Sequence, residues 1–123
     1  SALAASVLRT SGVLEASVYG VRAGQEEGRA GMAALVVDDD FTMADLAAHL
    51  DADLPAYAQP VFVRVMNSLS TTGTFKVRKQ DLVNEGFEPV RGRGTIYYKH
   101  PAKGYLKLNK AAYDKILAGE MRL

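Results

Sequence analysis

The chain has 123 residues, enough for one hydrophobic core and too few for two, so residues 1–123 are expected to form a single domain. Its 15 basic and 14 acidic side chains give a net charge of +1, which argues against nucleic acid as a partner. It contains no cysteine, which excludes disulfides and thiolate metal sites and favours a cytoplasmic location. It begins without an initiator methionine or the features of a signal peptide, so we expect it to be a piece of a longer protein.

The first half of the chain alternates helical and extended patterns. Ala4, Val7 and Leu8 share one face of a predicted helix that is expected to stop near Gly12. Two segments rich in β-branched residues then flank a polar turn, and the second is so continuously apolar that it predicts a strand buried on both faces. Thr42 opens a capping-box pattern and predicts a helix start. The predicted elements are a helix over 1–9, strands over 13–21 and 30–37, and a helix over 42–53.

The second half begins with a connector over 54–60 that contains two prolines. Because residues before proline avoid the α region, it should end the preceding helix and form a rigid link, with Tyr57 packed as a wedge. The predicted elements after it are a strand over 61–65, a short helix over 79–85, a hairpin of 95–99 and 104–108, and a last helix capped by Asn109. This order predicts an α+β fold: a small, mainly antiparallel sheet with helices packed on it and a C-terminal hairpin and helix.

Few residues have the pattern of a metal site. Asp38, Asp39 and Asp40 lack the alternating ligand spacing and distal glutamate of a calcium loop, so a solvated turn is expected. Neither His49 nor His100 has a second histidine or cysteine at ligand spacing. We therefore expect no metal site in this chain.

The segment over 71–79 is the strongest candidate for chemistry. It combines small hydroxyl side chains, a glycine that permits close backbone approach, and one lysine followed by further basic residues. Its spacing is not that of a P-loop, and spacing alone favours a surface loop with a solvated lysine. The local positive field could instead receive an anion. The candidate residues are Thr72, Gly73, Thr74, Phe75 and Lys76.

The connector and the lysine segment together resemble the C-terminal subdomain of the adenylate-forming acyl-CoA synthetases. In that superfamily a similar proline–tyrosine connector leads into a late motif with a catalytic lysine. The variant over 72–79 resembles the long- and very-long-chain branch, which includes the fatty-acid-transport proteins. Residues 18–21, 28–34 and 112–123 also resemble that branch, so the resemblance extends over almost the whole chain.

The resemblance implies that Lys76 is catalytic, with residues 72–75 forming its loop. In such enzymes a fatty acid reacts with ATP to give an acyl-adenylate, and the acyl group then passes to coenzyme A. The resemblance also implies a large N-terminal domain as the partner of this chain, and ATP, magnesium and coenzyme A in the complete enzyme. The fragment itself is expected to hold no cofactor and to be inactive alone. Peripheral membrane association is left open by the resemblance.

One alternative comes from a different class of protein. The chain could be a free-standing α+β module whose basic loop binds an anion or a partner protein. A long upstream domain with a phosphate-binding loop would favour the ligase over this module. Nucleic-acid binding would require a steep salt dependence that a net charge of +1 does not favour.

Overall fold

A computed structural model describes residues 1–24, 28–67, 79–89, 93–121 and 123. The described strands form one five-stranded sheet in the order β1-β2-β3-β4-β5. Neighbouring strands pair antiparallel except β2 and β3, which are parallel. The strands are β1 (Val13–Arg22), β2 (Arg29–Val37), β3 (Phe62–Asn67), β4 (Thr95–His100) and β5 (Gly104–Lys107).

Helices cover both faces of this sheet. They are α1 (Ala2–Leu8), α2 (Met43–Asp53), α3 (Lys79–Glu85) and α4 (Lys110–Leu117), and a 3-10 turn spans Ala56–Ala58. The parallel pairing of β2 and β3 follows from the α2 crossover between them, since parallel neighbours cannot be joined by a tight turn. The α+β class, with its mainly antiparallel sheet, C-terminal hairpin and final helix, is confirmed.

The core has two halves because the central strands are apolar on both faces. One half contains Phe62 and Ile96 from the sheet, Leu82 from α3 and Ile116 from α4. The other contains Leu35 and Val63 from the sheet with Val7, Leu46 and Leu50 from the first two helices. β2 contributes to both halves, which confirms that it is buried on its two faces.

Side-chain caps define the starts of three helices. The hydroxyl of Ser1 accepts a hydrogen bond from the Ala4 amide, and the Thr42 hydroxyl accepts one from the Asp45 amide. The side-chain oxygen of Asn109 accepts one from the Ala112 amide. Two of these caps, at Thr42 and Asn109, lie where the sequence predicts them.

Leu8 is exposed, whereas its neighbours Ser6 and Val7 in α1 are buried. The expectation for Tyr57 is wrong. Tyr57 is 92% exposed rather than packed as a wedge, because it lies on the outside of the 3-10 turn. The connector instead buries Gln59, which makes polar contacts, and Pro60. Among the described residues, no helix is long and apolar enough to cross a membrane.

Candidate functional site

The predicted lysine segment has a defined place in the order of elements. Its residues Thr72, Gly73, Thr74, Phe75 and Lys76 lie outside the described residues. The structure describes the elements on either side, β3 ending at Asn67 and α3 beginning at Lys79. The contacts that hold these two elements relative to each other involve residues of β3 up to Asn67 and residues from Lys79 onward.

β3 is the central strand, and its carboxyl end lies beside that of β2. Val37 and Asn67 are register partners at the ends of these parallel strands. The acidic turn that follows β2 therefore starts at the sheet edge where β3 ends. Within that turn the Asp38 carboxylate accepts a 2.9 Å hydrogen bond from the Asp40 amide, and Asp40 is exposed. Among the described residues no group of three or more His, Asp or Glu side chains could hold a metal ion.

A fully buried arginine links β3 to α3. Arg64 lies in the middle of β3, opposite Ala34 and Ile96, on the face that α3 covers. Its Nη1 donates a 2.9 Å hydrogen bond to the carbonyl oxygen of Arg93, and its Nη2 a 3.4 Å bond to that of Gly86. The guanidinium thus contacts Gly86, which directly follows α3, and Arg93, two positions before β4 begins.

Glu85, the last residue of α3, provides the counter-charge. Its Oε1 lies 3.8 Å from Arg64 Nη1 and 3.4 Å from Arg93 Nε. A buried guanidinium without such a partner would cost several kcal/mol, on the order of 3–5 when one member of a buried pair is removed. The three side chains therefore form one charged cluster beneath the end of α3, which we call the Arg64 cluster: Arg64, Glu85 and Arg93.

Tyr19 borders the Arg64 cluster from β1. Burial raises the pKa of its phenol, and the charge of Arg64 opposes this shift. Arg64 Nε has no hydrogen-bond partner among the residues that the structure describes. The cluster is thus only partly satisfied by hydrogen bonds and depends on the ion pairs with Glu85.

The proline connector lies at the N-terminal end of β3. The Gln59 amide nitrogen donates 3.1 Å hydrogen bonds to the Asp51 carboxylate and to the Leu54 carbonyl oxygen. The side-chain oxygen of Gln59, Oε1, accepts a 2.7 Å hydrogen bond from Lys99 Nζ of β4. The connector thus precedes β3 and packs at its N-terminal end, while the lysine segment follows β3 in the chain and lies outside the described residues.

The two histidines have structural roles in the described part of the chain. His100 Nδ1 accepts hydrogen bonds from the amides of Ala102 and Lys103, which closes the turn between β4 and β5. His49 Nε2 lies 3.9 Å from an Asp53 oxygen, one helical turn along α2. Neither arrangement indicates a metal ligand or a catalytic base.

Sequence reasoning missed the Arg64 cluster. The available signal was one charged residue in the middle of the apolar run over 61–65, on the same face as Phe62. A charge at such a position predicts a buried ion pair if the strand is central. Its partner Glu85 could not be named, because the sequence does not show which helix covers that face.

Comparison with known proteins gives one family and several relatives. The AMP-binding enzyme C-terminal domain matches residues 3–76. The chain is 44% identical over 112 residues to human long-chain fatty acid transport protein 3, covering 89% of this chain. It is 41% identical over 123 residues to the mouse protein of that name, covering 97% of this chain. It is 39% identical over 119 residues to human long-chain fatty acid transport protein 1, covering 94% of this chain.

The match covers only a small part of these relatives. The chain spans 16% of the length of the human transport protein 3 and 18% of the other two. No solved structure matches the chain.

Proposed function

Because the chain belongs to the family of AMP-binding enzyme C-terminal domains, we propose that it is the C-terminal domain of an ATP-dependent fatty acid–CoA ligase. The observation that carries this proposal is the 39–44% identity, over nearly the whole chain, to proteins named for long-chain fatty acid transport. The same residues carry the resemblance to the acyl-CoA synthetases. The larger, N-terminal part of such a ligase would be the partner of this domain.

The proposed reaction has two steps. In the first, a carboxylate oxygen of the fatty acid attacks the α-phosphorus of ATP, and pyrophosphate leaves. In the second, the sulfur of coenzyme A attacks the acyl carbon, AMP leaves, and the thiol proton is released. Magnesium accompanies ATP in this proposal, and none of the described residues is assigned to hold it.

Lys76 is the proposed catalytic residue of the first step. Its ammonium would lie between the carboxylate and the α-phosphate, two groups of like charge that otherwise repel each other. It would also stabilise the negative charge that develops on the phosphoryl oxygens in the transition state. A lysine suits this role because it carries a compact charge on a long stem. We assign Lys76 to the first step alone, with the domain turning away for the second.

The test separates the two half-reactions in the full-length ligase. Lys76→Ala should slow acyl-adenylate formation by about 10²–10³, the effect of removing one electrostatic contact in a transition state. Thioester formation from supplied acyl-adenylate should stay unchanged. Lys103→Ala is the matched control, because Lys103 is an exposed lysine in the β4–β5 turn. Equal losses in both half-reactions of the Lys76 variant would contradict the assignment.

A further inference from the structure

One buried side chain connects the strand before the lysine segment to the helix after it. Arg64 lies on β3, three positions before its last residue, Asn67. Its guanidinium reaches Gly86 and Glu85 at the far end of α3, and α3 begins directly after the lysine segment. Both ends of the segment over 68–78 are therefore attached to elements that the same guanidinium joins.

We propose that Arg64 is a positioning residue that fixes α3 against β3 and so sets where the lysine segment is presented; the inference rests on the proposed role of Lys76. A segment with fixed ends has fewer accessible arrangements than one with free ends. Misplacement of a reacting group by about 1 Å can cost about 10²-fold in rate. Arg64 thus acts on the adenylation step through Lys76.

The geometry calls for an arginine rather than a lysine. The planar guanidinium donates from Nη1 to the Arg93 carbonyl oxygen and from Nη2 to the Gly86 carbonyl oxygen, two acceptors on separate segments. A lysine side chain is shorter and carries all its donors on one nitrogen, so it cannot reproduce both contacts. The positive charge also lies at the C-terminal end of α3, where carbonyl groups favour a cation.

The first measurement uses the 123-residue chain and needs no ligase activity. Amide hydrogen exchange is compared between the chain and its Arg64→Lys variant. We expect protection in α3 to fall by about tenfold or more while α4 is little changed, because local opening follows the contacts that hold each element. If the variant does not fold, Glu85→Gln replaces it, since Glu85 is less buried than Arg64 and glutamine has nearly the same shape as glutamate. Unchanged protection of α3 in the folded variant overturns the inference.

The second measurement uses the half-reactions of the full-length ligase. Arg64→Lys should reduce acyl-adenylate formation by about 10- to 100-fold and leave thioester formation from supplied acyl-adenylate unchanged. Lys99→Met is the matched control: it removes the contact to Gln59 at the other end of β3 and should not separate the half-reactions. Equal losses in both half-reactions would mean that Arg64 only supports folding, and this would overturn the inference.

A double-substitution cycle separates positioning from an independent effect. If Arg64 acts through Lys76, Arg64→Lys should cause no further loss when Lys76 is already alanine. Losses that multiply overturn the inference. If Lys76→Ala alone leaves adenylation intact, the proposed role of Lys76 is wrong, and hydrogen exchange still decides whether Arg64 holds α3.

Discussion

The phenolic oxygen of Tyr105 donates a 2.6 Å hydrogen bond to the carbonyl oxygen of Pro60. This bond attaches the last strand of the sheet to the end of the proline connector, just before β3 begins. Burial, and then the charge of Asp51, raise the pKa of Tyr105 far above its ordinary value. The hydroxyl is therefore held in its neutral, donating form by the fold.

Removing this hydroxyl should destabilise the chain. Tyr105→Phe leaves the Pro60 carbonyl oxygen without its donor, and we expect the free energy of unfolding to fall by about 1–2 kcal/mol. Urea unfolding followed by circular dichroism measures the difference. Tyr97→Phe is the matched control, because the Tyr97 hydroxyl makes no hydrogen bond to any residue that the structure describes. A comparable loss in both variants would contradict a specific role for the Tyr105–Pro60 bond.

The same tyrosine predicts a loss of stability at alkaline pH. Because the pKa of Tyr105 is higher in the folded than in the unfolded chain, the unfolded chain loses the phenolic proton first. The contribution of Tyr105 to the free energy of unfolding should be fully present below about pH 10, the ordinary pKa of tyrosine, and should decline above it. Urea unfolding midpoints, measured at several pH values below and above about 10, follow the decline. Burial also raises the pKa of Tyr19 and Tyr113, so Tyr105→Phe should reduce the slope without abolishing it; an unchanged slope would contradict this.

Two glycines with similar backbone angles should respond differently to alanine. Gly94 has φ +77° and Gly119 has φ +75°, both in the left-handed region. A Cβ at Gly119 would meet nothing within 4 Å, whereas one at Gly94 would clash with the Val65 carbonyl oxygen. Gly119→Ala should cost about 1–2 kcal/mol for the backbone alone. Gly94→Ala should cost roughly 2–5 kcal/mol, since the clash adds to the backbone cost. Thermal or urea unfolding compares them, and equal losses would show that the contact with Val65 relaxes freely.

The isolated chain should fold and yet bind ATP negligibly. In the proposed ligase, this domain contributes one lysine to the reacting phosphate, and the remaining contacts to ATP come from the rest of the enzyme. Isothermal titration calorimetry of the 123-residue chain with ATP should give no measurable heat of specific binding. Binding in the micromolar range, insensitive to added salt, would contradict the proposal and favour a free-standing anion-binding module. Weak binding that salt abolishes would indicate only screened surface charge.

The sequence by itself determined the elements and the family. Helix and strand depend on periodicity and on local caps, so patterns such as Thr42 with its capping box predict the structure correctly. The motif around Lys76 and the connector before it are each an unbroken run of residues. A resemblance to a family could therefore be stated from the sequence alone. Lys76 itself lies outside the described residues, and its role stays a prediction.

Only the tertiary structure decided which side chains meet. Arg64 and Glu85 belong to different elements, and Tyr105 bonds to a carbonyl oxygen 45 positions earlier in the chain. Tyr57 was expected to be packed but is exposed, and the connector's buried side chains include Gln59 and Pro60. The physical reason is that periodicity fixes which face of an element is apolar, whereas the environment of a polar side chain depends on which other element covers that face. That choice is made by the order and direction of strands in the sheet, which short-range patterns do not contain.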